Sequence, residues 1–253
     1  MIHSFLLIGQ SNAAGRGSLK EALPLNTNKG KLKVLRNGRW QTMYRPVNCD
    51  RGFSGTCLAE SFAKAYSDEY AELEVGIIPC ADGGTSLDQW APGGLLFDNA
   101  VNCARLAMRT SKLVGVLWHQ GEADCSSDRY PLYREKFNAI KEAMRRELGL
   151  PSLPFVLGGL GDFLAACDHS EHLKNFPYVN EALRLISEED ENCAFAEAHG
   201  LTSNPDKLHF SAAALYEFGL RYYEAFGKIA KIDFGAENET LENDSERTAM
   251  ELL

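Results

Sequence analysis

The sequence predicts an α/β protein: a three-layer α/β/α sandwich around a central, mostly parallel, five-stranded sheet. Three observations predict it. Short runs that are apolar on both faces recur along the chain, as buried parallel strands require. Stretches with apolar residues at helical spacing separate them. Small clusters of glycine and polar residues follow several of the runs, where an open parallel sheet places its ligand crevice.

The elements follow in order. Strand-like runs cover His3–Ile8, Leu73–Pro79, Leu113–Trp118, Phe155–Gly158 and Cys193–Ala198, each rich in Val, Ile, Leu, Phe or Ala. Helical patterns cover Leu58–Tyr70, Leu96–Thr110, Tyr130–Leu148, Tyr178–Glu188 and Ala212–Ile229. In the third of these, Phe137, Ile140 and Met144 lie on one face. Alternation of this kind implies right-handed crossovers with helices on both faces of the sheet. Two segments interrupt the pattern. Asn37-Gly38, between Val34-Leu35-Arg36 and Arg39-Trp40-Gln41, is a hairpin signal. Residues 162–176 form an irregular loop on the crevice side, where it can wall a pocket.

Composition narrows the function. The chain has 253 residues, 45% hydrophobic and 24% charged, with a formal net charge of −9. Residues 1–232 read as one domain. Residues 233–253 read as an acidic tail, whose seven acids and one arginine carry −6 of that charge. An acidic chain without a basic stretch argues against nucleic acid and anionic membranes as partners. No apolar run approaches the roughly twenty residues of a membrane span. No signal peptide is visible and the seven cysteines are scattered without a CxxC pair, so a reduced, cytoplasmic protein is expected. A secreted form with its signal removed would read the same.

Four clusters carry chemistry. Gly9-Gln10-Ser11-Asn12 follows the first strand, with Gly15-Arg16-Gly17 just beyond. A serine there can be an exposed nucleophile, a helix N-cap or part of an anion-binding loop; the spacing matches neither phosphate-loop pattern. Asp82-Gly83-Gly84-Thr85-Ser86, with Trp90, follows the second strand. Glycine there lets backbone N–H groups approach a ligand, and Trp90 is either a packing residue or a substrate wall. Trp118-His119-Gln120-Gly121-Glu122-Ala123-Asp124 ends the third. Gln120 can donate to an oxyanion, Glu122 can pair with Arg16 across two loops, and His119 reads as wall or support rather than a metal ligand. Asp206-x-x-His209 precedes the last helix, a spacing that lets the carboxylate hold one ring nitrogen while the other faces Ser11. Cys167-Asp168-His169-Ser170-Glu171-His172 is read as a polar loop before a metal site.

These four clusters, in this order, resemble the SGNH (GDSL-like) hydrolase superfamily. The resemblance is closer to its carbohydrate-esterase branch, which includes acetylxylan esterases of carbohydrate esterase family six and sialate O-acetylesterases. It implies the flavodoxin-like fold of that superfamily. It implies Ser11 as nucleophile, His209 as general base and acid, and Asp206 as the group orienting His209. The oxyanion hole would comprise the Ser11 and Gly84 amides and the Gln120 side chain. Gln10, Asn12, Arg16, Gly83, Trp90, His119 and Glu122 would contact substrate or support the site. No metal or cofactor is expected. Relatives often carry Met after Gly-Gln-Ser-Asn; Ala13 here would leave a slightly roomier pocket. The implied activity is a serine esterase removing O-acetyl groups from a small carbohydrate, such as an acetylated xylo-oligosaccharide. The alternatives are a sialate O-acetylesterase, a general short-chain esterase, and a carbohydrate-binding protein on an esterase fold. Trp90, Trp118, Arg45 and Arg51 on the loops would suit a polar sugar better than a long acyl chain.

Overall fold

A computed structural model describes residues 1–230; the expected acidic tail lies outside the described residues. Seven strands build one sheet. They are β1 (Ile2–Gly9), β2 (Leu32–Arg36), β3 (Arg39–Thr42), β4 (Glu74–Pro79), β5 (Lys112–His119), β6 (Phe155–Gly158) and β7 (Cys193–Ala196). Their order across the sheet is β3-β2-β4-β1-β5-β6-β7. All neighbours pair in parallel except β2 and β3.

The expected five strands are all present. The count rises to seven because the Asn37-Gly38 hairpin joins the sheet instead of standing apart. Both turn residues have positive φ, 49° and 76°, which matches the twist of the flanking strands. Strand β2 then pairs in parallel with β4, and β3 closes the edge.

Alternation along β1 sorts the core. Phe5 and Leu7 face one side, with α2 (Ala59–Glu69) and α6 (Ala212–Ile229). Leu6 and Ile8 face the other, with α3 (Leu95–Ala107), α4 (Tyr133–Leu148) and α5 (Phe176–Glu189). All four β1 side chains are fully buried, as period-two alternation between two apolar layers demands. Helix α4 opens with a 3-10 turn at Tyr130–Leu132, where Pro131 sits, and α5 starts two residues earlier than its apolar spacing suggests. The irregular loop after β6 folds into two 3-10 turns, Asp162–Ala166 and Glu171–Asn175. No helix among the described residues is long and apolar enough to cross a membrane.

Strand β1 lies between β4 and β5, so the chain winds to one side of it and then to the other. The carboxyl ends of these three strands meet at that switch point, where open α/β sheets hold their ligands.

Candidate active site

Gly9 ends β1 with φ of 123° and packs against the β5 backbone; a Cβ there would lie 2.0 Å from the His119 carbonyl oxygen. That contact lets Gln10 N–H donate to the same oxygen at 2.9 Å. The chain then turns into a one-turn helix, α1 (Ser11–Ala14). Ser11 is its first residue, so its amide has no acceptor within the helix.

The Ser11 hydroxyl lies 3.1 Å from His209 Nε2, across 198 positions of sequence. His209 Nδ1 lies 2.7 Å from Asp206 Oδ2. Facing a carboxylate, Nδ1 carries the proton and Nε2 is left to accept one from Ser11. The other Asp206 oxygen accepts from the Leu208 and His209 amides at 2.9 and 3.0 Å. Burial pushes the Asp206 carboxyl up, but the bonds from His209 and Leu208 outweigh it and hold it below the usual carboxylate range.

Asn12 fastens this loop to α1. Its Oδ1 accepts from Phe210 N–H at 3.0 Å and its Nδ2 donates to Leu208 O at 3.2 Å, one bond on either side of His209. The same Nδ2 donates to Glu122 Oε1 at 2.5 Å. Asn12 is 1% exposed, so it supports the site and does not face substrate. Glu122 has His119 Nε2 at 3.5 Å. Burial pushes its carboxyl up, yet His119, its own backbone amide and Asn12 bring it below its ordinary value.

The loop after β4 completes the rim. Gly83 N–H is committed to Asp50 Oδ2 at 2.9 Å, whereas the Gly84 amide makes no bond to another described residue. Asp50 also binds Arg16 through both oxygens, at 3.1 and 2.6 Å. Arg16 lies 5.2 Å from the ring centroid of Phe53, which is 72% exposed at the cavity mouth. Asp50 and Phe53 sit in an irregular stretch without periodicity or motif, and sequence reasoning missed both.

Several expectations need correction. Gln120 does not reach the cavity. It is fully buried, and its Nε2 donates to Thr85 O at 3.1 Å and Asp124 Oδ2 at 2.5 Å, so both amide hydrogens are spent inside. Trp90 is also fully buried, edge-on to Trp118 and donating to Thr85 Oγ1; it is core, not a substrate wall. Trp118 packs in the same layer, and Arg45 pairs with Glu60 away from the site. Arg16 pairs with Asp50 instead of Glu122, because Asp50 reaches both guanidinium nitrogens while Glu122 is turned toward His119. Ala13 packs under the site against the core, so it does not widen the pocket. Of the residues expected at the site, Gln10, Ser11, Arg16, Gly83, Gly84, Glu122 and His209 line the cavity.

The cavity is about 750 Å³, large enough for a sugar unit. His169, Ser170, His172 and Leu173 wall it from the 162–176 loop. Cys167 turns away toward the Asp206 carbonyl, which splits the cysteine–histidine cluster. Arg129, also missed in the sequence, lines the cavity too.

A family model for a carbohydrate esterase, the sialic acid-specific acetylesterase, matches residues 1–228. The chain belongs to that family. It is accordingly a carboxylic ester hydrolase acting on carbohydrate acetyl esters. Its relatives include a probable carbohydrate esterase of Arabidopsis thaliana, 26% identical over 242 residues that cover 88% of this chain and 89% of the plant protein. The solved structure of the plant protein superposes with a TM-score of 0.77, covering 88% of this chain and 97% of that one. Two further solved structures share the fold. NanS is 20% identical with a TM-score of 0.66, covering 90% of this chain and 97% of its own. A carbohydrate acetylesterase from Xanthomonas citri is 22% identical with a TM-score of 0.66, covering 90% of this chain and 56% of its own.

Proposed function

We propose that the protein removes O-acetyl groups from a small carbohydrate by acyl transfer through Ser11. The arrangement of Ser11, His209 and Asp206 at 3.1 and 2.7 Å, with Ser11 and His209 lining the cavity, carries this reading. Ser11 Oγ attacks the acetyl carbonyl carbon as its proton passes to His209 Nε2. Asp206 holds the ring in the required tautomer and stabilises the imidazolium that forms. The oxyanion is met by the Ser11 and Gly84 amides. As the C–O bond to the sugar breaks, His209 returns the proton to the leaving oxygen. Water then attacks the acetyl-serine with His209 again as base, releasing acetate and restoring Ser11. The chemistry needs no metal or cofactor.

Acetylated xylo-oligosaccharides are one substrate class. An acidic sugar such as an O-acetylated sialate is the second reading, and a specific observation favours it. Arg16 is neutralised by Asp50, and Arg51 by Asp82. The Arg129 side chain donates to Ala123 O and makes no direct ion pair among the described residues, although Asp124 and Asp128 lie close enough to feel its charge. A cavity guanidinium with no carboxylate in direct contact can take a substrate carboxylate.

The test is acetate release by wild type and Ser11→Ala. The panel is p-nitrophenyl acetate, p-nitrophenyl octanoate, acetylated xylo-oligosaccharides and O-acetylated sialic acid. Serine-dependent release from acetyl esters, with little from octanoate, is the expected result. The better of the two sugars names the class. No serine-dependent release from any of them would favour a carbohydrate-binding protein instead.

A further inference from the structure

With Gln120 spent inside the fold, a second glutamine stands where a third donor is needed. Gln10 immediately precedes Ser11, is only 4% exposed, and still lines the cavity. Its side-chain Oε1 accepts from the Gly121 and Ala123 amides, at 3.3 Å each. Those two donors fix which way the carboxamide faces, since its NH2 cannot point at an N–H group. Nε2 therefore turns away from the β5 loop, and no described residue accepts from it. Nor is it sealed off. Among the described residues the buried side-chain atoms without a partner are His119 Nε2, Gln120 Oε1, Glu122 Oε2 and Asn138 Oδ1, and Gln10 Nε2 is not among them. It is open to the cavity.

We infer that Gln10 is a catalytic residue whose Nε2 donates to the acyl oxygen as negative charge develops on it, beside the Ser11 and Gly84 amides. This rests on the esterase reading above. The main chain at Gln10 is tied to His119 O, and its side chain is pinned at Oε1. The donor is therefore held in place before substrate arrives, the condition under which such groups lower a barrier most. A neutral amide also leaves the protonation of His209 to Asp206.

The test is Gln10→Glu, which keeps an oxygen for Gly121 and Ala123 but replaces the donor. Turnover of p-nitrophenyl acetate and of an O-acetylated sugar should both fall, by about 10²–10³-fold in kcat, with KM little changed and the melting temperature retained. Gln10→Met, which adds no charge, should fall likewise, separating donor loss from repulsion. Wild-type kcat in both variants would overturn the inference. So would a loss confined to the sugar ester, because that would make Gln10 a sugar contact. Wild type inactive on every acetyl ester would overturn the esterase reading as well. Serine-dependent wild-type turnover untouched by either variant overturns this inference alone.

Discussion

The loops after β1 and β5 leave the sheet side by side, joined by Gln10 N–H to His119 O, and each carries a glutamine. They use it in opposite ways. The β1 loop turns at once into α1 and presents Gln10 and Ser11 to the cavity. The β5 loop folds back under its neighbours. Gln120, His119 and Asp124 are at most 1% exposed, and Gln120 and Asp124 spend bonds on Thr85 and Leu87 of the β4 loop. Burial pushes the Asp124 carboxyl above its usual value despite those bonds. On the proposed reading the β1 loop does the chemistry, and the buried part of the β5 loop braces it. Residue type does not decide which; the path of the backbone does.

The largest test of this division is Ser11→Ala. It should lower kcat by at least about 10⁴-fold, because the members of such a relay act as a unit, while the melting temperature stays. Retained turnover would place the chemistry outside the β1 loop.

Asn12→Asp is the next test. The substitution keeps an acceptor for Phe210 but sets an oxygen against Leu208 O and the Glu122 carboxylate. Displacing His209 by about an ångström should cost on the order of 10²-fold in kcat. Urea denaturation alongside the kinetics separates this from unfolding, and wild-type kcat would show that the clamp is dispensable.

Gln120→Met sharpens the comparison from the other side. It leaves the buried Thr85 carbonyl without a donor and Asp124 Oδ2 with the Leu87 amide alone, and should cost about 1–3 kcal/mol of stability. Its kcat, measured on folded protein, should fall less than that of Gln10→Glu. A larger fall than in Gln10→Glu, without lost stability, would reverse the roles assigned to the two loops.

The smallest effect lies away from both loops. His3 is buried on β1 with Nδ1 2.6 Å from the Tyr66 hydroxyl. Burial, then the charges of Lys112 and the N-terminus, lower its pKa from 6.5 to about 4. The unfolded chain therefore takes up that proton first. The contribution of His3 is complete above pH 6.5 and is lost as pH falls toward about 4. Urea midpoints between pH 7 and pH 4 should drift down in wild type and drift less in His3→Gln. Equal drift in both would assign the loss to other groups.

Much of this was legible in the sequence. Each buried strand announced itself by being apolar on both faces, and Asn37-Gly38 announced the hairpin. That the hairpin would join the sheet through β2 depended on a parallel pairing with β4, a contact without a local signal. Ser11, His209 and Asp206 were legible because strand ends converge in such a sheet. Asp50, Phe53 and Arg129 were not, since they lie in segments without periodicity; Asp50 and Phe53 meet Arg16 from far along the chain, and Arg129 is set by an irregular turn through Ala123. Gln120 was misread for a related reason. A polar residue after a strand stands at the crevice, but nothing in the sequence says whether it turns into the cavity or beneath it.

The most direct measurement is to mix the wild-type protein with an O-acetylated sugar, quench in acid within a turnover, and map peptides by mass spectrometry. The account predicts one acetyl group on the peptide carrying Ser11, absent in Ser11→Ala, which should also release no acetate. Acetate release without acetyl-Ser11 at any quench time, or persisting in Ser11→Ala, would contradict it.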